Sequence, residues 1–415
     1  MKVQCIAPIV VLAALGLAGC GQPPAATFSF DERTENLIPE ARDLVVNVLS
    51  DNFGAPNNLV AWEKFPIDYG KPDAQADPKD HHSKAGWRLI EGRNLYMTHC
   101  QHCHGVTGDG KGPTSRFLNP RPRDYRQGTF KFKSTQRGLK PSRKDLLHIL
   151  EQGIPGTYMP SFVLLGEERL ELILDYVRWL SIRGNTEIRL ATELAGLSAT
   201  TKDVKRAMAD DSTKKRAGVV LDVMKSVNEE LPGLVDDITN SLAEGWANAE
   251  LEENVVVPKL KRTPPTKASI EKGRVFFLSL NPKKKTECAE CHGKLARGDG
   301  PNTEKYWPVP DSKPERKYEI AGLHDEWGFP QSPRNLTRGI YRGGRRPIDI
   351  FRRVHEGIPG TQMAGFATVL TDDEIWDVVN YVLSLPFEGK HSAYPTELDG
   401  EQQEKNKVAT TRVQL

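Results

Sequence analysis

The stretch "MTHCQHCHGVTGDGKGP", residues 97–113, sets two cysteines three apart and follows the second directly with a histidine. Far down the chain, "TECAECHGKLARGDGP", residues 286–301, does the same. Cys-x-x-Cys-His is the attachment pattern of c-type haem. The two thiols add to porphyrin vinyl groups as thioethers, and the following imidazole is then held against the iron. This assigns Cys100, Cys103 and His104 to one haem, and Cys288, Cys291 and His292 to a second.

Zinc is the competing reading, since two Cys-x-x-Cys pairs can build a four-thiolate site. Each pair, however, has its own histidine and sits in its own copy of a larger unit. A thioredoxin-like redox pair needs a βαβ setting, and strand signals are few. The cysteine count agrees with haem. Of six cysteines, Cys5 and Cys20 lie near the N-terminus and the other four are used by the two motifs, so none remains for a disulfide framework.

The larger unit is written twice. "KAGWRLIEGRNLYMTHCQHCHG" leads to "RKDLLHILEQGIPGTYMPSF" and then "GEERLELILDYVRWLS". The second copy runs "KASIEKGRVFFLSLNPKKKTECAECHG", "RRPIDIFRRVHEGIPGTQMAGF" and "TDDEIWDVVNYVLSL". Even "RPRDYRQGTF" has a partner in "SPRNLTRGIY". Each copy opens on a helical pattern, through Trp87, Ile90 and Leu95 or Tyr96, then through Ile270, Val275 and Phe277. Each closes on an amphipathic helix with apolar residues at i, i+3 and i+4. The second closing helix begins on a capping box, Thr371 to Glu374. Gly- and Pro-rich loops lie between, so the fold class is all-α with long ordered loops.

Here the chain resembles the class I cytochromes c, with two such domains in tandem. The expected organisation is a leader over 1–19, a polar lead-in and linker over 20–82, and a first domain over 83–184. A helical connector over 185–265 follows, broken at Pro232, then a second domain over 266–386 and a polar tail over 387–415. The resemblance implies that Gly92 with Tyr96, Gly273 with Phe277, and Tyr176 and Tyr381 pack the first helix of each copy on the last. It also implies that a proline carbonyl orients each proximal imidazole, for which Pro113 and Pro301, each nine residues after its histidine, are the candidates. In this family the sixth iron ligand is usually a methionine on a loop before the final helix. "GIPGTYMPSF" offers Met159 and "GIPGTQMAGF" offers Met363, whereas the other methionines do not recur between copies. His148 and His355 lie nearby but are not equivalent in the repeat, His102 is trapped between cysteines pointing outward, and His81, His82, His99 and His324 read as loop residues.

The N-terminus "MKVQCIAPIVVLAALGLAGCGQ" has a basic start and an apolar run too short to span a bilayer comfortably. Its Leu17-Ala18-Gly19-Cys20 resembles a bacterial lipobox. That implies cleavage before Cys20, acylation of Cys20 and anchoring to the periplasmic face of a membrane. The net charge of +2 and hydrophobic content of 38% exclude a polytopic membrane protein and give no reason to expect nucleic acid as a partner.

Residues 111–145 hold eleven Lys or Arg against Asp124 and Asp145, and residues 334–353 hold seven Arg against Asp349. They are expected to steer an acidic redox partner, to bind haem propionates, or to form a solvated face. The function expected is one-electron transfer between a quinol-oxidising complex or dehydrogenase and a terminal oxidase or reductase. The alternatives are a dihaem peroxidase, which should have one haem without a methionine, and a haem subunit of a larger complex. The connector and a 23-residue insertion at 304–326 are expected to act as a spacer or as a surface for such a complex.

Overall fold

The computed structural model describes residues 26–70, 85–211, 213, 215–310, 312 and 314–388. The leader with Cys20, the linker stretch and almost all of the tail lie outside them. Ahead of the first copy come α1 (Glu32–Glu35) and α2 (Pro39–Phe53), followed by an antiparallel hairpin of β1 (Gly54–Ala55) and β2 (Asn58–Leu59). The first copy comprises α3 (Trp87–His99), α4 (Gln101–His104), α5 (Arg143–Gln152) and α6 (Glu167–Gly196). After α7 (Thr201–Asp210) and α8 (Arg216–Asn248), the second copy repeats the set as α9 (Lys267–Phe277), α10 (Cys288–His292), α11 (Pro347–Glu356) and α12 (Asp372–Ser384). Among the described residues, no helix is long and apolar enough to cross a membrane.

In both copies the first and last helices cross at a glycine. A Cβ on Gly92 would lie 2.2 Å from the Leu172 carbonyl oxygen, and one on Gly273 would lie 2.0 Å from that of Asp377, so only hydrogen fits. Beside each crossing an aromatic pair closes the contact, Tyr96 with Tyr176 at 5.2 Å and Phe277 with Tyr381 at 5.3 Å between centroids.

The crossing also sets which helical face is buried, and it corrects the expected stripe. Because Gly92 must face α6, the residues three before and four after it, Leu89 and Tyr96, turn inward with it. Trp87 is instead 50% exposed. In α9 the buried set is Ser269, Gly273, Phe276 and Phe277, with Ile270 and Val275 half-buried.

The core of the first copy extends well beyond it. One apolar cluster joins Phe28, Ile38, Val45, Leu49 and Phe53 of the lead-in to α6, and reaches Val227, Ile238, Leu242 and Trp246 of α8. The lead-in and connector therefore cover the outer face of the first domain. Two helices run on accordingly. α6 runs through residue 184 to Gly196, and Gly184 serves there as the seat for the Arg126 side chain, 2.5 Å from where its Cβ would be. Pro232 lies inside an unbroken α8. An interior proline costs about 3 kcal/mol, which the six apolar α8 side chains buried in the cluster offset, Val219 and Val220 included. The second copy keeps a separate core from Val256 to Leu385.

Glu326, at the end of the 304–326 insertion, and the residues after it join the two copies. Arg123 of the first domain lies 4.0 Å over the Trp327 ring, with Nη1 3.4 Å from Glu326 Oε1 and Nη2 donating to the Pro359 carbonyl at 3.3 Å. Arg121 stacks 4.6 Å over Phe329, and Lys131 Nζ donates to Gln331 Oε1 at 3.2 Å. Cation–π contacts contribute about 0.5–1 kcal/mol at an exposed cation such as Arg121 and about 2 kcal/mol at a desolvated one such as Arg123.

Gly273→Ala is expected to lower the stability of the second domain by about 1–3 kcal/mol, because its methyl has no space. Gly245→Ala, whose Cβ would meet only Lys140 Cγ at 4.0 Å, should instead raise stability by ~0.5–1 kcal/mol through helix propensity. Urea midpoints of the two variants check the contrast, and equal shifts would mean that the crossing is not tight.

Candidate functional site

The end of α3 delivers the first motif. Cys100 caps α3 as α4 starts, so Cys100, Cys103 and His104 occupy a single turn, with the His104 amide donating to the Cys100 carbonyl at 2.9 Å. The chain then folds back beneath the motif. Gly110 N donates to His104 O at 2.9 Å and Gly112 N to Cys103 O at 3.2 Å. The second motif has the same bonds, Gly298 N to His292 O at 2.8 Å and Gly300 N to Cys291 O at 3.2 Å. All four cysteines are free thiols, and burial pushes those of Cys100 and Cys288 up to about 12. Among the described residues no three His, Cys, Asp or Glu side chains gather as a metal cluster, so the two cysteine pairs do not meet in a four-thiolate zinc site.

Burial holds both imidazoles neutral, His104 down to about 4 and His292 also lowered. In each, Nδ1 faces a backbone carbonyl at 3.4 Å, that of Arg123 for His104 and that of Arg334 for His292. A carbonyl can only accept, so Nδ1 carries the proton and Nε2 keeps its lone pair. This replaces Pro113 and Pro301 as the orienting residues. Both prolines are exposed, because the return of the chain under the motif carries them past its cysteine edge, and the later "PR" of each copy passes beneath the ring. The matching "RPRDY" and "SPRNL" segments held that signal.

Met159 and Met363 sit in loops built alike. Ile154 N donates to Met159 O at 3.0 Å, and Thr157 Oγ1 donates to Ile154 O at 2.8 Å while accepting from Met159 N at 3.1 Å. In the second copy Ile358 N donates to Met363 O at 3.0 Å, and Thr361 repeats both hydroxyl bonds at 2.8 and 3.2 Å. Gly-Ile-Pro-Gly-Thr-x-Met is thus a self-closed turn that fixes the methionine backbone.

In the first domain these parts come together. A cavity of about 460 Å³ is lined by Cys100, Cys103, His104 and Met159, with an apolar wall that includes Leu146, Ile173, Leu174 and Val177. Two thiols, a neutral imidazole and a thioether on one apolar slot are the donor set that a covalently bound haem requires, so the residues fit the group. Of the other histidines, His102 is exposed as expected, whereas His324 is buried, stacked 3.8 Å from Tyr318. His355 pairs with Glu356 at 2.6 Å.

Arg123 and Arg334 each act on both domains. Each carbonyl faces the imidazole of its own domain, and each side chain presses on the methionine loop of the other. Arg123 reaches Pro359 O, with Nη1 2.5 Å from where a Gly360 Cβ would sit, and Arg334 Nη2 is 2.5 Å from the same point on Gly156.

A family model described as Cytochrome c matches residues 89–181 and 271–386, just over half of the chain. A chain of the Kuenenia stuttgartiensis reducing HAO-like protein complex is similar at 26% identity, over 71% of this chain and 95% of that one, with a TM-score of 0.47. Among curated proteins, none matches.

Thr157→Val should remove two hydrogen bonds of about 1 kcal/mol each and speed amide exchange at Met159 by ~5–30-fold. Thr361→Val should do the same at Met363. Unchanged exchange would mean that something other than the threonine closes the turn.

Proposed function

We propose, since the chain belongs to the cytochrome c family, that it is a lipid-anchored dihaem electron carrier. Family members carry covalently attached haem c, and the two matched regions give this chain two haems. Haem c, when bound, supplies a one-electron iron couple. The residues of this chain then decide how it is used. Cys100 and Cys103, and Cys288 and Cys291, hold the macrocycles. His104 and His292 would offer Nε2, and Met159 and Met363 their thioethers, to the iron. Small substrates would then have no coordination position, and outer-sphere electron transfer would be the remaining chemistry. Thioether ligation and the apolar wall both disfavour the more charged ferric state, which implies high potentials.

The observation that carries this reading is the shared cavity of His104, Met159 and both thiols. A peroxidase would need one distal side without a methionine, and the identical bonding of the two loops speaks against it.

The finer role rests on sequence. The lipobox-like Cys20 supports attachment to the periplasmic face of a bacterial membrane, and such a carrier would link a quinol-oxidising complex or dehydrogenase to a terminal oxidase or reductase. Several basic residues turn inward at the domain junction. Lys111, Arg116, Arg338 and Arg345 remain exposed to meet an acidic partner, and Phe117 beside Arg116 is 71% exposed.

Matured protein should keep two haems per chain through acid–acetone extraction and show the weak far-red sulfur-to-iron band, of which Met159→Ala and Met363→Ala each remove about half. Colour that extracts, or carbon monoxide binding by the reduced wild type, would overturn the carrier reading. Cys20→Ala should move the protein to the soluble fraction, and partner reduction rates that stay flat with ionic strength would remove the steering role.

A further inference from the structure

One cation of the second domain points into the cofactor site of the first. Arg342 lines the cavity that holds Cys100, Cys103, His104 and Met159. Its Nε is fully buried and has no hydrogen-bond partner. Its neighbours do not supply a counter-charge. Arg334 and Lys131 are both close enough to act on it or be acted on by it as like charges, and Lys131, which also lines the cavity, is bonded to the neutral Gln331 and has Asp325 and Glu326 as its own acidic neighbours. Burial lowers Arg342 to about 10 and Lys131 to about 7. A guanidinium whose buried Nε has no partner and whose charged neighbours are cations is costly unless an anion joins it.

The backbone is shaped to put Arg342 there. Arg353 donates to the carbonyls of Arg342 and Gly344, the latter at 2.7 Å. Gly343 between them has φ +76°, and its missing Cβ would lie 2.3 Å from Cδ1 of Phe132. The turn therefore sits directly on the wall of the first domain, and any side chain at 343 would push it away. In the repeat Arg342 is the counterpart of Lys131, since "RGIYR" aligns with "QGTFK". The two equivalent cations meet at one cavity from opposite domains.

We propose that Arg342 binds a propionate carboxylate of the haem carried by Cys100 and Cys103, with Lys131 as its companion, so that the second domain completes the cofactor site of the first. This rests on the haem reading above. A planar guanidinium binds carboxylate through two parallel hydrogen bonds, and it neutralises a negative charge close to the iron. The cation therefore favours the ferrous state of that haem, and domain docking sets its potential.

The test uses the full-length matured protein, with haem content measured first. Wild type without covalent haem would fail the haem reading itself. With two haems in place, Arg342→Gln should weaken reduction of one haem about tenfold, ~59 mV for one electron, in a spectroelectrochemical titration. The other midpoint should stay in place, and the propionate bending band in the resonance Raman spectrum should shift. Arg342→Lys should restore most of the midpoint while leaving the band shifted, because a point charge replaces the fork. Arg316→Gln, at an exposed position, should change neither. In a Met159→Ala background, where the first iron titrates apart, the shift must follow that iron. The proposal is overturned if the band and both midpoints are unchanged in Arg342→Gln, if Arg316→Gln has the same effect, or if the shift follows the second haem. Should Arg342→Gln not mature, the band in Arg342→Lys decides alone, and an unshifted band rejects the proposal.

Discussion

The fold depends on two helix crossings that only glycine allows. At Gly92 and Gly273 the backbone of one helix touches the carbonyl of another, and each contact fixes the rotation of the first helix about its axis. Rotation decides which side chains are buried, and it decides the direction in which the chain leaves the C-terminal end of α3 or α9 toward the motif. In the first copy α4 follows within one residue, so an error in the crossing would pass directly to Cys100, Cys103 and His104. The aromatic pairs beside the glycines stabilise the contact, but they would tolerate some sliding. The carbonyl contact would not.

Much of this was legible in the residues. Both motifs, the repeat, the crossing glycines with their aromatics, the capping box at Thr371 and the methionine loops all depend on short local patterns, and local patterns survive without knowledge of the fold. The Thr371 amide donates to Glu374 at 2.8 Å as its spacing implies. The failures share a cause, which is that a distant partner decided them. Pro232 stays helical because α8 buries Val227 and Trp246 against another element. The lead-in looked polar because its apolar residues are spaced to cover α6 rather than to form a run. Pro113 was chosen by its distance from His104, whereas the Arg123 carbonyl reaches the ring only because a loop returns beneath it.

Charge was the least legible feature. Sequence gives the number of cations and nothing about their direction. Arg121, Arg123, Lys131, Arg334, Arg342 and Arg353 belong to runs for which partner steering, propionate binding and a solvated face are all open on sequence, and they serve the domain junction or the cavity it closes. Guanidinium suits this use, being more weakly hydrated than ammonium and able to stack on Trp327 or Phe329 while bonding at its edge.

The junction also bears on how two haems in one chain relate. Arg123 and Arg334 each place a carbonyl on an imidazole and a side chain on the opposite methionine loop. Any displacement of one domain therefore acts on the imidazole of one domain and the methionine loop of the other. A flexible tether between two independent carriers would need no such reciprocity. Arginines shared in this way favour a pair of domains docked as one body, in which the environment of each site is set partly by residues from the other.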